Sequence, residues 1–279
     1  MTTTSSPIKG NPSLSSPTSI TGTTSPLGVF DDPKYAKLAL DNAEKYRTAD
    51  PYPHIIFDDF LPDPIARSIH ETFPKPDDAS VEWIIRDNQH NLKRYQHDET
   101  KLPRTTREIL RELNSRQFIL FLETLTGIEN LIPDPYYIGG GAHLGSRGDF
   151  LKIHADFNWH HKLLAHRRVN VLYYPNLGWQ EEWGGALELW NKEMTERKAH
   201  YFPMFNRLLV FNVEEHSNHG HPHPLACPPN EHRKTLNLYY YTTKTDQEVR
   251  EPHFTVYRTE ASSFASELGA NYRRTGGQQ

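Results

Sequence analysis

Residues Gly148–His160 read GDFLKIHADFNWH, and the fold and chemistry of the chain are read outward from them. The centre is His154-Ala155-Asp156. On an extended strand, residues i and i+2 point to the same face. An imidazole nitrogen and a carboxylate oxygen from His154 and Asp156 can therefore converge on one metal ion. A second histidine from a distant strand would complete a set of two histidines and one carboxylate. That facial set suits non-haem Fe(II), because three coordination positions stay open for a co-substrate and O2. On its own, H-x-D is a weak signal that arises by chance, so the weight rests on what surrounds it.

The chain has 279 residues, a formal net charge of −4 and 36% hydrophobic residues. The slight negative charge offers no electrostatic case for nucleic acid or an anionic membrane as partner. A single cysteine, Cys227, excludes an intrachain disulfide and fits a reducing compartment. No apolar stretch resembles a secretory signal or reaches the length of a membrane span, so a cytoplasmic protein is expected. Oligomeric state is left open. Most of the sixteen histidines must be surface or structural residues whatever the metal chemistry.

Residues 1–27 are rich in Ser, Thr, Pro and Gly with little apolar surface to offset ordering entropy, and read as a disordered leader. Residues 28–135 read as a helical and mixed N-terminal part of the catalytic domain. Asp31 or Asp32 caps a helix running to Arg47, with Pro33 in its first turn. A strand starts at His54. Further helices follow Pro64, cover 105–113, and cover 115–125 until Gly127 ends the last of them. Val81–Ile85 is a candidate strand. The pattern then changes to short apolar runs punctuated by Gly, Pro and Asn. Strands are predicted at 136–138, 142–145, 150–155, 168–174, 186–190, 207–212, 235–242 and 253–257. The fold class is therefore α+β, mainly β with flanking helices: a sandwich or barrel over 136–260 with N-terminal helices packed outside. Residues 261–279 form a C-terminal tail.

Beyond the H-x-D strand lie EEWGGALELW (181–190), SNHGHPHPL (217–225) and RKTLNLYYYT (233–242). With LTGIENLIPDPYYIGGGAH and FLKIHADFNWH, these stretches resemble the 2-oxoglutarate- and Fe(II)-dependent oxygenases, in particular the prolyl-4-hydroxylase-like branch. The resemblance covers roughly residues 50–243. It implies a double-stranded β-helix, or jelly roll, with iron in its mouth. It implies His154 and Asp156 as the first two metal ligands and a distal histidine among His219, His221 and His223. Ser217-Asn218-His219-Gly220 followed by Pro224-Leu225 fits the family pattern best at His219, with His221 the alternative. Arg233 is implied as the partner of the 2-oxoglutarate 5-carboxylate, a role that suits a planar, permanently charged guanidinium. The implied cofactors are Fe(II), 2-oxoglutarate as co-substrate and O2, with ascorbate a further candidate. The implied reaction is hydroxylation of a prolyl, peptidyl or small-molecule substrate, releasing succinate and CO2. The sequence departs from the branch at Leu151, where a tyrosine is usual. A tyrosine of 136–137 or of 173–174 would have to replace it.

Other polar residues have bland readings beside functional ones. Asn158 is either near the metal or a turn residue. Trp159, His160 and His161 suit a loop at the pocket mouth. His143 and Arg147 are candidates to face the pocket, while Arg167 and Arg168 read as solvated strand-end charges. His221 and His223 read as hydrogen-bonding loop residues, because Pro222 and Pro224 interrupt any regular strand. Trp183, Trp190 and Tyr239–Tyr241 read as packing. Two other functions use the same features: a zinc hydrolase built on the histidine-rich segment, and a non-catalytic jelly-roll binding module with no metal.

Overall fold

A computed structural model describes residues 27–243 and 251–258. The expected leader, apart from Leu27, and the expected tail from 261 lie outside the described residues. The described residues contain four α-helices: α1 (Pro33–Arg47), α2 (Asp63–Thr72), α3 (Arg104–Leu113) and α4 (Arg116–Thr126). Their ends follow from local chemistry. The Asp32 carboxylate accepts from Lys34 N ahead of Pro33. Ser115 Oγ accepts from Phe118 N at the start of α4, and Gly127 ends it at φ 75°.

The described residues also form one antiparallel sheet. Its strands are β1 (His54–Phe57), β2 (Ile84–Asn88), β3 (Asn91–Gln96), β4 (Ile132–Pro133), β5 (Gly141–Gly145), β6 (Phe150–Ala155), β7 (Trp159–His160), β8 (Ala165–Tyr174), β9 (Leu187–Trp190), β10 (Arg197–Tyr201), β11 (Arg207–Asn212), β12 (Asn218–His221), β13 (Arg233–Thr242) and β14 (Val256–Tyr257). The hydrogen-bonded order is β1-β11-β8-β13-β5-β3-β6-β12-β9-β10. The sheet curls at β3, whose Arg94–Gln96 pair with β5 while Asn91 and Leu92 pair with β6. This is the expected jelly roll with helices outside. One face of β8 and β13 packs Val169, Val171, Tyr173, Leu236, Leu238 and Tyr240 into the main core with α1, α2, α3 and α4. The other face lines a cavity.

Three expectations are corrected. Residues 136–138 are a turn, not a strand. The Asp134 carboxylate accepts from Tyr136 N and Ile138 N, and Tyr137 adopts φ 47°. The strand expected at 81–85 is instead a hairpin with β3, displaced to 84–88. β3, β10 and β12 were not anticipated, since none carries a clean apolar alternation. NLKRYQ and RKAHY present mostly polar or half-buried side chains.

Candidate active site

The cavity lies between the two layers of the curled sheet and opens to solvent at its mouth. His154 and Asp156 enter it from the end of β6, His219 from β12, and Arg233 from the start of β13. The four residues thus come from three strands.

His154, Asp156 and His219 each offer a donor atom, and these atoms lie within 4.8 Å of one another. His154 Nε2 is 3.5 Å from Asp156 Oδ1, and His219 Nε2 is 3.4 Å from Asp156 Oδ2. The tautomers follow from the other ring nitrogen. His154 Nδ1 lies 2.9 Å from the Lys152 carbonyl, and His219 Nδ1 lies 2.8 Å from the Ser217 carbonyl. A carbonyl only accepts, so each Nδ1 carries a proton, and each Nε2 is the nitrogen left facing the cluster. Burial, followed by the His219 ring, lowers the His154 pKa and keeps it in the neutral form that binds metals. Burial alone would raise the Asp156 carboxyl, but Arg167, His219 and His154 together hold it well below its usual range. The donor set fits a divalent metal ion: two imidazoles and one carboxylate, all buried and aimed at one point.

Two local irregularities build this face. β6 and β12 pair His219 with His154 but His221 with Leu151, so β6 carries one extra residue between those pairs. The bulge brings Leu151 and His154 onto the same cavity face. Gly220 fits here because a Cβ would sit 2.7 Å from the Leu151 carbonyl oxygen and 2.8 Å from that of Lys152. His221 follows at i+2 and also lines the cavity, which corrects its reading as a loop residue. His223 is 82% exposed, its Nε2 3.9 Å from Glu188 Oε1, and is not part of the cluster.

The second irregularity corrects the reading of Arg167. The ladder between β13 and β8 pairs Tyr240 with Val169 and Tyr241 with Arg167, leaving Arg168 as the extra residue. That bulge turns Arg167 onto the cavity side with Asn170. Arg167 is 1% exposed, Nη2 is 3.0 Å from Asp156 Oδ2, and its guanidinium lies 3.4 Å from the Tyr239 ring centroid. Arg167 Nε donates to Asn170 Oδ1, and Asn170 Nδ2 donates to Asp156 Oδ2 at 2.7 Å. Together these fix the carboxylate's orientation. Of the remaining candidates, His143 and Tyr239 line the cavity. Arg147 instead donates to the Ala226 and Cys227 carbonyls. Asn158 donates to the Glu251 carbonyl. His160 is buried against Asp134 rather than at the mouth.

Arg233 is buried, and all its hydrogen-bond partners are neutral: Gly185 O at 2.8 Å, Thr235 Oγ1 at 3.0 Å and the Tyr174 hydroxyl at 3.4 Å. Gly185 permits this approach, since a Cβ there would lie 3.0 Å from Arg233 Cδ. A buried guanidinium with no carboxylate beside it among the described residues is costly unless a ligand supplies one. Arg233 and the His-Asp-His cluster line the same cavity. Tyr174 stands beside Arg233, as one of the tyrosines expected to compensate for Leu151.

The sequence of residues 140–241 matches the model of the 2OG-Fe(II) oxygenase superfamily. That stretch is a 2OG-Fe(II) oxygenase domain. Domains of that family use Fe(II) and 2-oxoglutarate. No curated protein sequence matches it. Among solved structures, this oxygenase is similar to a Pseudomonas putida prolyl-4-hydroxylase at TM-score 0.53 and 19% identity, over 73% of this chain and 98% of that one. It is also similar to HygX from Streptomyces hygroscopicus, solved with nickel and 2-oxoglutarate, at TM-score 0.51 and 10% identity, over 78% of this chain and 96% of that one. At these identities the likeness is one of fold. No helix among the described residues of the oxygenase is long and apolar enough to cross a membrane.

Proposed function

We propose that His154, Asp156 and His219 hold the Fe(II) of this oxygenase, that Arg233 receives the 5-carboxylate of 2-oxoglutarate, and that the reaction is a hydroxylation of a peptidyl or small-molecule substrate. Iron bound there with 2-oxoglutarate and O2 supplies the oxidising chemistry that couples formation of succinate and CO2 to oxidation of the substrate. The chain's own residues do the rest. His154 and His219 turn Nε2 toward the metal position because each Nδ1–H donates to a backbone carbonyl. Asn170 and Arg167 hold Asp156 ionised and oriented. Tyr174 and Thr235 hold the Arg233 guanidinium in place for a bidentate pair. Leu172 and Leu187 supply apolar wall that excludes water. Ascorbate is a candidate reductant only.

The observation that carries this reading is the buried Arg233 with neutral partners, in the same cavity as the His-Asp-His cluster. A zinc hydrolase has no use for that arginine. A binding module needs neither it nor the cluster. Protein purified anaerobically should take up one equivalent of Fe(II) and convert 2-oxoglutarate to succinate. Metal analysis finding zinc alone, with no succinate formed when Fe(II) is supplied, would contradict the proposal.

A further inference from the structure

Lys93 of β3 also lines the cavity, and neither composition nor spacing drew attention to it. It lies outside the stretch 140–241 that matches the oxygenase family. The β2–β3 ladder sets Arg86 directly opposite Lys93. Both cations flank one ring, the Arg86 guanidinium 5.3 Å and Lys93 Nζ 5.9 Å from the Tyr95 centroid. Like charges facing each other across a ladder oppose folding. Among the described residues neither has a carboxylate in an ion pair. Burial and the charges of Arg86, Arg167 and Arg233 push the Lys93 pKa down to about 8, against the pull of Asp156.

The other cavity charges are matched. Asp149 pairs with Arg94 at 3.3 Å, and Asp156 pairs with Arg167 at 3.0 Å. Arg233 is matched by the co-substrate, if the proposed function holds. Lys93 is left over. A second group is also unpartnered. His221, 8% exposed and lining the same cavity, has a buried Nδ1 with no hydrogen-bond partner among the described residues. That ring nitrogen is free to make a hydrogen bond with a ligand in the cavity.

We infer that Lys93, with Arg86 beside it and His221 in the same cavity, binds the carboxylate of the primary substrate, which is a small free acid and not a residue inside a polypeptide. The inference rests on the oxygenase reading of the site. A prolyl or other uncharged residue within a peptide carries no carboxylate and leaves Lys93 and Arg86 unmatched. A free acid neutralises them and gives His221 a polar neighbour. Compact ammonium and carboxylate groups desolvated together make a short, charge-assisted bond.

The test uses the full chain loaded anaerobically with Fe(II) and saturating 2-oxoglutarate, so that Arg233 is occupied. Probes are the twenty free L-amino acids, straight-chain monocarboxylates from acetate to hexanoate, their primary amides, and a blocked prolyl tripeptide. Binding is read as a rise in melting temperature. At least one acid should bind at least tenfold more tightly than its amide, and Lys93→Met should erase that discrimination while Lys93→Arg retains part of it. Equal binding of acid and amide, binding of the blocked peptide alone, or no binding by any probe at millimolar concentration would each overturn the inference. So would a Lys93→Met protein that loses affinity for 2-oxoglutarate instead of for the acid. Failure of the proposed function is seen separately, as wild-type protein that shows no iron-dependent absorption band with 2-oxoglutarate before any probe is added.

Discussion

The two faces of β8 and β13 come from the same two strands and have opposite chemistry. The helix side carries Val169, Val171, Tyr173, Leu236, Leu238 and Tyr240, packed without charge. The cavity side carries Arg167, Asn170, Arg233, Thr235, Asn237 and Tyr239. On the helix side, burial of apolar surface gives the stability, and any residue of similar size and apolarity serves. On the cavity side, buried charges hold each other or await a ligand, so identity matters and stability is spent on orientation. Strand alternation produces this division over most of the length. The bulge at Arg168 breaks it once, and the break delivers Arg167 to Asp156.

The comparison can be broken most easily at Asp156. Asp156→Ala removes a donor of the His-Asp-His cluster and also strands the buried Arg167. Succinate formation should fall below detection, and the metal-free protein should lose about 3–5 kcal/mol of stability in a denaturant melt. A variant that still forms succinate at a normal rate would remove Asp156 from the metal site.

Arg233→Ala should act on the co-substrate alone. Iron uptake should persist, while the 2-oxoglutarate concentration needed for half-maximal succinate formation rises. Loss of a partly buried charged pair costs roughly 2–5 kcal/mol, about thirty-fold to several thousand-fold in affinity. An unchanged requirement would mean that another cation, Lys93 foremost, takes the 5-carboxylate.

On the opposite face, Leu238→Ala should lower stability by about 2–5 kcal/mol, because Leu238 is 1% exposed in the core. Succinate formation per folded molecule should change little. A loss of turnover at temperatures where the variant is fully folded would show that the helix side also shapes the site.

Much of this was legible in the sequence, and the parts that were not have identifiable physical causes. Helix ends could be read because Asp32, Ser115 and Gly127 act through local hydrogen bonds and φ preferences. His154 and Asp156 could be placed on one face because they sit on a strand at spacing two. Arg167 could not, because a bulge changes the phase of alternation and depends on the partner strand. His221 was misread for a related reason. β12 ends just before Pro222, so the proline that argued against a strand marks its end. Lys93 was invisible because β3 is recruited by pairing with β5 and β6, and NLKRYQ has no periodic signal of its own. The one informative trace was Gly220 between two histidines. Small size at that position signals a close backbone approach.

The most direct test is an anaerobic titration of Fe(II) with 2-oxoglutarate, following the weak visible band of the chelate in the wild-type, His219→Ala and His221→Ala proteins. With His219 as the distal ligand, the band should be present in the wild type, absent in His219→Ala and retained in His221→Ala. Loss of the band in His221→Ala with retention in His219→Ala would move the ligand two residues along β12. Retention in both variants would contradict the His154-Asp156-His219 site itself.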